Sequence, residues 1–127
     1  AQAAGDYAYL GFVLDIEGIR VYHSGDTLIY PELMEYLKPL LPIDVALLPI
    51  NGRHAFREAQ GFIGNMTYQE AADLAGTLGV NLVIPMHFDL MRFNSEHPAN
   101  FVRHLMDNWP NIPYRVLQAG QGHFYFK

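Results

Sequence analysis

Apolar positions along the chain change period several times, and each change marks an element. Residues 7–15, Tyr-Ala-Tyr-Leu-Gly-Phe-Val-Leu-Asp, are aromatic and β-branched enough for a strand. A turn at Glu17-Gly18 leads into residues 19–22 as its hairpin partner. Pro31 then suits a first helical turn, with Leu33, Tyr36, Leu37 and Leu40 at helical spacing, and Pro39 and Pro42 stop that helix. Residues 43–49 form a nearly continuous apolar run, the pattern of a strand buried on both faces. Residues 50–64 lack periodicity and read as a long loop, a length that in compact domains usually signals function or mobility.

Thr67-x-x-Glu70 is a capping box that opens a second helix. Ala71, Leu74, Ala75 and Leu78 give it a buried stripe, and Gly79 ends it. Residues 81–85 are another short buried strand. Ser95 or His97 caps a third helix with Pro98 in its first turn, and its apolar face is Phe101, Val102, Leu105 and Met106. Residues 114–117 and 123–126 are expected as two closing strands around Gly120-Gln121-Gly122. The expected order is β-β-α-β-loop-α-β-loop-α-β-β, which indicates an α/β layer with helices covering one face of a sheet.

Composition narrows the class. A chain of 127 residues makes one ordinary domain, 1–127; half of it is apolar and only 17% charged, so it can bury a core. The net charge of -5 argues against nucleic acid as a dedicated partner. With no cysteine, disulfides and thiolate metal sites are excluded. A reducing cytoplasm is the expected setting. No apolar run reaches the roughly 18 residues of a membrane span, so no membrane partner is expected. The start, Ala1-Gln2-Ala3-Ala4-Gly5-Asp6, has no initiating methionine and suits the interior of a longer protein as well as a cut edge.

Polar groups gather where the expected sheet strands end, the place where ligands converge in α/β sheets. Asp26, in Ser24-Gly25-Asp26-Thr27, either caps the following helix or presents a carboxylate to a metal or substrate. His87, in Pro85-Met86-His87-Phe88-Asp89, is either a core histidine or a ligand, with Asp89 as its orienting partner or a turn residue. Asn51-Gly52-Arg53 ends another strand, and Arg53 is either solvated or holds an anionic group. His23 and His54 flank these positions, whereas His104 and His123 read as structural. The chain has no glycine-rich phosphate loop, serine nucleophile elbow or paired-cysteine site, which removes several enzyme classes.

Together, Ser24-Gly25-Asp26-Thr27, then Leu47-Leu48-Pro49-Ile50-Asn51-Gly52-Arg53, then Gly64-Asn65-Met66-Thr67 with Glu70-Ala71, and finally Ile84-Pro85-Met86-His87-Phe88-Asp89 resemble the metallo-β-lactamase superfamily. Within it the chain looks most like the ascorbate-6-phosphate lactonase-like metal-dependent hydrolases, from about Tyr9 to Phe126. The resemblance implies the C-terminal half of an αββα sandwich, with one mixed sheet and helices on one face. It implies that Asp26 bridges two metal ions and that His87 is a late ligand of the second, making both the catalytic and metal residues. Asn65, Asn51, His23 and Arg53 are the implied substrate contacts. The implied cofactor is a divalent metal, zinc or manganese. Its bound hydroxide would attack a lactone or ester of a small molecule such as a phosphorylated sugar acid. A phosphodiesterase acting on phosphate esters is the variant within the enzyme class.

The family's His-x-His-x-Asp-His cluster lies upstream of its Gly-Asp-Thr segment, and this chain has no His-x-His and no histidine before His23. The chain is therefore expected to be the C-terminal portion of a longer metallo-hydrolase, supplying part of the site. A half-sandwich leaves one sheet face bare, so pairing with an N-terminal half or homo-oligomerisation is expected. The alternative function is a non-catalytic half-domain, an interaction module that associates through its exposed sheet.

Overall fold

A computed structural model describes residues 10–52, 65–88 and 96–127. Its elements are β1 (Phe12–Ile16), β2 (Ile19–His23), α1 (Leu33–Leu37) running into a 3₁₀ turn (Lys38–Leu40), β3 (Val45–Pro49), α2 (Tyr68–Leu78), β4 (Leu82–Met86) and α3 (Pro98–Asn108). The strands form one four-stranded mixed sheet in the order β1-β2-β3-β4. β1 and β2 are antiparallel, joined by a two-residue turn in which Glu17 (φ 51°) and Gly18 (φ 86°) both take positive φ, the turn whose twist suits a hairpin. β2, β3 and β4 run parallel, so their carboxyl ends meet at one edge.

The registers Tyr22↔Ala46 and Ala46↔Val83 place these residues, with Leu48, on one face of the sheet. That face is buried with Leu33 and Leu37 of α1, Ala71, Ala72, Leu74, Ala75 and Leu78 of α2, and Phe101 and Leu105 of α3, which is the core. The opposite face grades from buried Val45 and Leu82 to β1, where Phe12, Leu14 and Ile16 are 51–59% exposed. Helices on one side and a largely bare β1 on the other agree with the expected layer.

The capping box forms: Thr67 Oγ1 accepts from the Glu70 amide at 3.1 Å, and Glu70 Oε1 accepts from the Thr67 amide at 3.0 Å. His97 caps α3, its Nδ1 accepting from the Ala99 amide at 3.1 Å; Ser95, the other candidate, lies outside the described residues. Two expectations are corrected. α1 starts at Leu33, two residues after Pro31, and holds only five residues because Pro39 forces the tighter turn that follows. The closing strands are not formed: residues 114–117 make a single bridge, Tyr114 to Val83, and residues 123–126 make none. Strand propensity needs an edge to pair with, and Phe124 and Phe126, both at least 85% exposed, have no strand beside them among the described residues.

The far end of the sheet is tied by Asp44, which is 1% exposed. Its carboxylate accepts from the Arg20 amide at 2.9 Å, Asn81 Nδ2 at 3.1 Å, Tyr125 Oη at 3.4 Å and Lys127 Nζ at 3.5 Å. Burial pushes its pKa up, but the hydrogen bonds from Arg20 and Asn81 and the Lys127 charge outweigh this and hold it below the ordinary carboxylate value.

Candidate functional site

The carboxyl edge of the sheet is built by loops leaving β2, β3 and β4. After β2, the Ser24 amide donates to Leu47 O at 3.1 Å, which extends the ladder one step and buries Ser24. The chain then turns at Gly25 (φ 66°), where a Cβ would run into the Leu10 carbonyl oxygen. Only glycine meets both conditions. The Gly25 amide donates to His23 Nδ1 at 3.1 Å, so His23, exposed at the end of β2, braces the turn that delivers Asp26.

From β4, His87 takes φ 60°, a left-handed conformation that is unusual for a residue with a side chain. Its Nδ1 lies 2.9 Å from Asp26 Oδ1. Both side chains reach solvent, His87 at 27% and Asp26 at 57% exposure, so incoming chemistry has access to them. Two residues distant in sequence are thus brought into contact by neighbouring loops of one sheet.

Residues 50–52 after β3 meet residues 65–66 before α2. Asn51 and Asn65 are buried at 2% and 5% exposure, and Asn65 Nδ2 donates to Asn51 Oδ1 at 3.0 Å. The Asn65 amide donates to Gly52 O at 2.9 Å, the Gly52 amide to Met66 O at 2.9 Å, and the Met66 amide to Thr27 O at 2.9 Å. The Ile50 amide donates to Met86 O at 3.1 Å. These bonds tie the segments that follow β2, β3 and β4 to one another beside Asp26 and His87. The structure gives the two asparagines a bracing position in this network. Arg53, His54 and Asp89 lie outside the described residues. The positive φ of His87 and the Met66–Thr27 bond were missed from the sequence, and no local signal announces either.

A family model described as "Beta-lactamase superfamily domain" matches residues 2–88 of the chain. The chain belongs to the metallo-β-lactamase superfamily. Among relatives of this superfamily, a metal-dependent hydrolase from Rubrobacter xylanophilus is 34% identical over 113 residues, covering 88% of this chain and 42% of its own length. One from Methanoculleus marisnigri is 38% identical over 111 residues, covering 87% and 44%. Among solved structures, Igni18, a metallo hydrolase from Ignicoccus hospitalis, superposes with a TM-score of 0.72 at 28% identity, over 92% of this chain and 46% of that one. A protein described as a Zn-dependent hydrolase of the superfamily from Thermotoga maritima has a TM-score of 0.57 at 28% identity, over 73% and 43%. The chain spans less than half the length of the curated relatives it matches.

A carboxylate beside an imidazole is the donor chemistry that a divalent ion of this superfamily takes. Asp26 and His87 fit it as far as they go. Among the described residues, no group of three or more His, Cys, Asp or Glu side chains converges, so these residues offer two candidate donors and not a full set.

Proposed function

We propose that this chain contributes part of the active centre of a metal-dependent hydrolase acting on a lactone or ester of a small molecule. The observation that carries the reading is the 2.9 Å approach of His87 Nδ1 to Asp26 Oδ1 at the carboxyl edge of the sheet. Names of relatives as metal-dependent hydrolases support it. Zinc or manganese is the proposed ion, held by Asp26 and His87 together with donors beyond this pair. Such an ion, when bound, lowers the pKa of water and polarises a carbonyl oxygen. The chain's own residues do the positioning: Gly25 turns the chain at Asp26, the left-handed His87 presents its ring, and the Met66–Thr27 and Ile50–Met86 backbone bonds tie both loops to the chain around the Asn51–Asn65 pair.

In the reaction, water oxygen bonds to the carbonyl carbon and the carbon–oxygen bond to the leaving group breaks. The leaving oxygen takes a proton. A phosphorylated sugar acid, as the lactonase-like reading implies, would depend on Arg53 to hold its phosphate. A cytoplasmic setting belongs to the same proposal.

The test is metal content and ester or lactone hydrolysis of the protein against Asp26→Asn, which keeps the shape and removes the charge. Both should fall by about tenfold or more; equal metal content and equal rate in the two proteins refute the proposal.

A second reading is an interaction module working through the bare sheet face. It is favoured by the exposed row Leu10, Phe12, Leu14 and Ile16, each above 50%. Light scattering coupled to size exclusion decides it: a monomer at micromolar concentration sinks self-association through that face.

A further inference from the structure

A cavity of about 760 Å³ opens between the helix-side face of the β1–β2 hairpin and α1. It is of ordinary small-molecule size. Val13, Tyr22, Tyr30, Leu33, Tyr36 and Leu37 form much of its wall, and Asp26 belongs to the wall as well. The carboxylate that meets His87 is therefore also a boundary of this space.

Two features define what the cavity accepts. Its one cationic side chain among the described residues is already engaged. Arg20 also lines it, but its Nε bonds Asp15 Oδ2 at 3.2 Å and its guanidinium donates to Leu40 O at 2.7 Å and Leu41 O at 3.3 Å. Asp26 is paired with His87. Among the described lining residues, no cationic side chain is left free for a phosphate or a carboxylate.

The second feature is Tyr22. It is 4% exposed and lines the cavity. Burial first, and the neighbouring Tyr30 second, push its pKa up, so it stays protonated and able to donate. A tyrosine hydroxyl in the wall of a cavity can donate to a ligand's polar atom in place of water.

We propose that this cavity binds an uncharged aromatic group carrying one polar atom, the non-reacting part of an ester or lactone whose reacting bond lies toward Asp26. Tyrosine rings favour an aryl group by edge or offset stacking. The assignment rests on the hydrolase reading for its ester bond, but the cavity's ligand preference stands on the lining alone. It directs the site away from a phosphorylated sugar acid.

The experiment measures binding of methyl acetate, methyl phenylacetate and methyl 4-hydroxyphenylacetate to the full chain by ligand-observed NMR titration, with 6-phosphogluconate as the anionic comparison. The aryl ring should tighten binding by on the order of tenfold over methyl acetate, and the hydroxyl by about fivefold more. Tyr22→Phe should erase the hydroxyl's advantage while leaving the ring's, with the melting temperature unchanged or raised. Val13→Phe, which fills the cavity, should weaken both aryl esters about tenfold. Equal affinity for all three esters, or tighter binding of 6-phosphogluconate than of any aryl ester, overturns the proposal. So does a hydroxyl advantage that persists in Tyr22→Phe.

Zinc or manganese uptake by the same samples and by Asp26→Asn separates the two readings. Aryl-selective binding with equal metal uptake by the two proteins keeps the cavity assignment and removes the hydrolase; Asp26-dependent metal uptake with no aryl selectivity does the opposite.

Discussion

Gly76 lies inside α2, where glycine is about 1 kcal/mol worse than alanine, so helix propensity alone predicts that Gly76→Ala stabilises the protein. Tertiary structure predicts the reverse. A Cβ at Gly76 would fall within the indole of Trp109, against its Cδ2, Cε3 and Cε2. Trp109 follows α3 directly, its amide donating to Leu105 O at 2.7 Å. Its Nε1 donates to Asp73 Oδ1 at 2.9 Å, the same oxygen that His104 Nε2 meets at 2.9 Å. The indole thus lies flat on the one α2 position without a side chain and joins α2 to α3.

Alanine at 76 forces the ring off that surface. Overpacking of this kind costs about 1–3 kcal/mol. Losing the Trp109–Asp73 bond adds about 1 kcal/mol, the low end for a charged acceptor because the Asp73 side chain is 53% exposed. Against a propensity gain of about 1 kcal/mol, the net loss is about 2 kcal/mol, or roughly 5–10 °C in melting temperature for a domain of this size. Urea and thermal unfolding measure it. Trp109 is the single tryptophan, so its emission reports the site directly and should shift to the red in the folded variant. An unchanged or raised melting temperature with unshifted emission would refute the reasoning, leaving propensity as the dominant effect.

His87→Gly should be more stable than His87→Ala by about 1–2 kcal/mol in urea unfolding, because φ 60° strains alanine and not glycine, while both lose the Asp26 pair; the opposite ranking removes the strain argument. Asp44 sets an acid limb. Its folded pKa lies below the ordinary 3.8, so its contribution is complete above that value and is lost as pH falls through it toward the folded pKa. Unfolding free energy measured at pH 7, 5, 4 and 3 should fall across the last steps. Asp44→Asn should flatten that fall and destabilise by about 1–3 kcal/mol at pH 7, since the Arg20 amide and Lys127 lose a charged acceptor.

Local chemistry was readable without a structure. The Thr67-x-x-Glu70 cap, the Glu17-Gly18 turn and the apolar strands β3 and β4 depend on near neighbours or on burial of the whole segment, so periodicity and turn residues reveal them. The Gly25-Asp26 turn and His87 at the end of β4 were recognisable as candidates by their position after strands, and the order of segments was enough for the superfamily. Whether Asp26 was a helix cap or a ligand was open in the sequence, and so was the place of Asn51 and Asn65. Those depend on how separate loops cross: the Met66–Thr27 and Ile50–Met86 bonds have no signature in either partner's local sequence.

The C-terminal aromatics show the converse error. Residues 123–126 have strand propensity, but propensity describes a half-buried surface that a neighbour must supply, and no strand pairs with them in the described structure. Gly76 reads as a helix defect until Trp109 arrives from beyond α3. By itself, then, the sequence determined the first four strands and the three helices, the two candidate positions Asp26 and His87, and the family. Tertiary structure alone decided the pairing of His87 with Asp26, the left-handed backbone that achieves it, the burial of Asp44 and the tyrosine-walled cavity beside Asp26. Each of these is a contact between residues far apart in the chain, set by the packing of loops and helices on a common sheet and not by any residue's own preference.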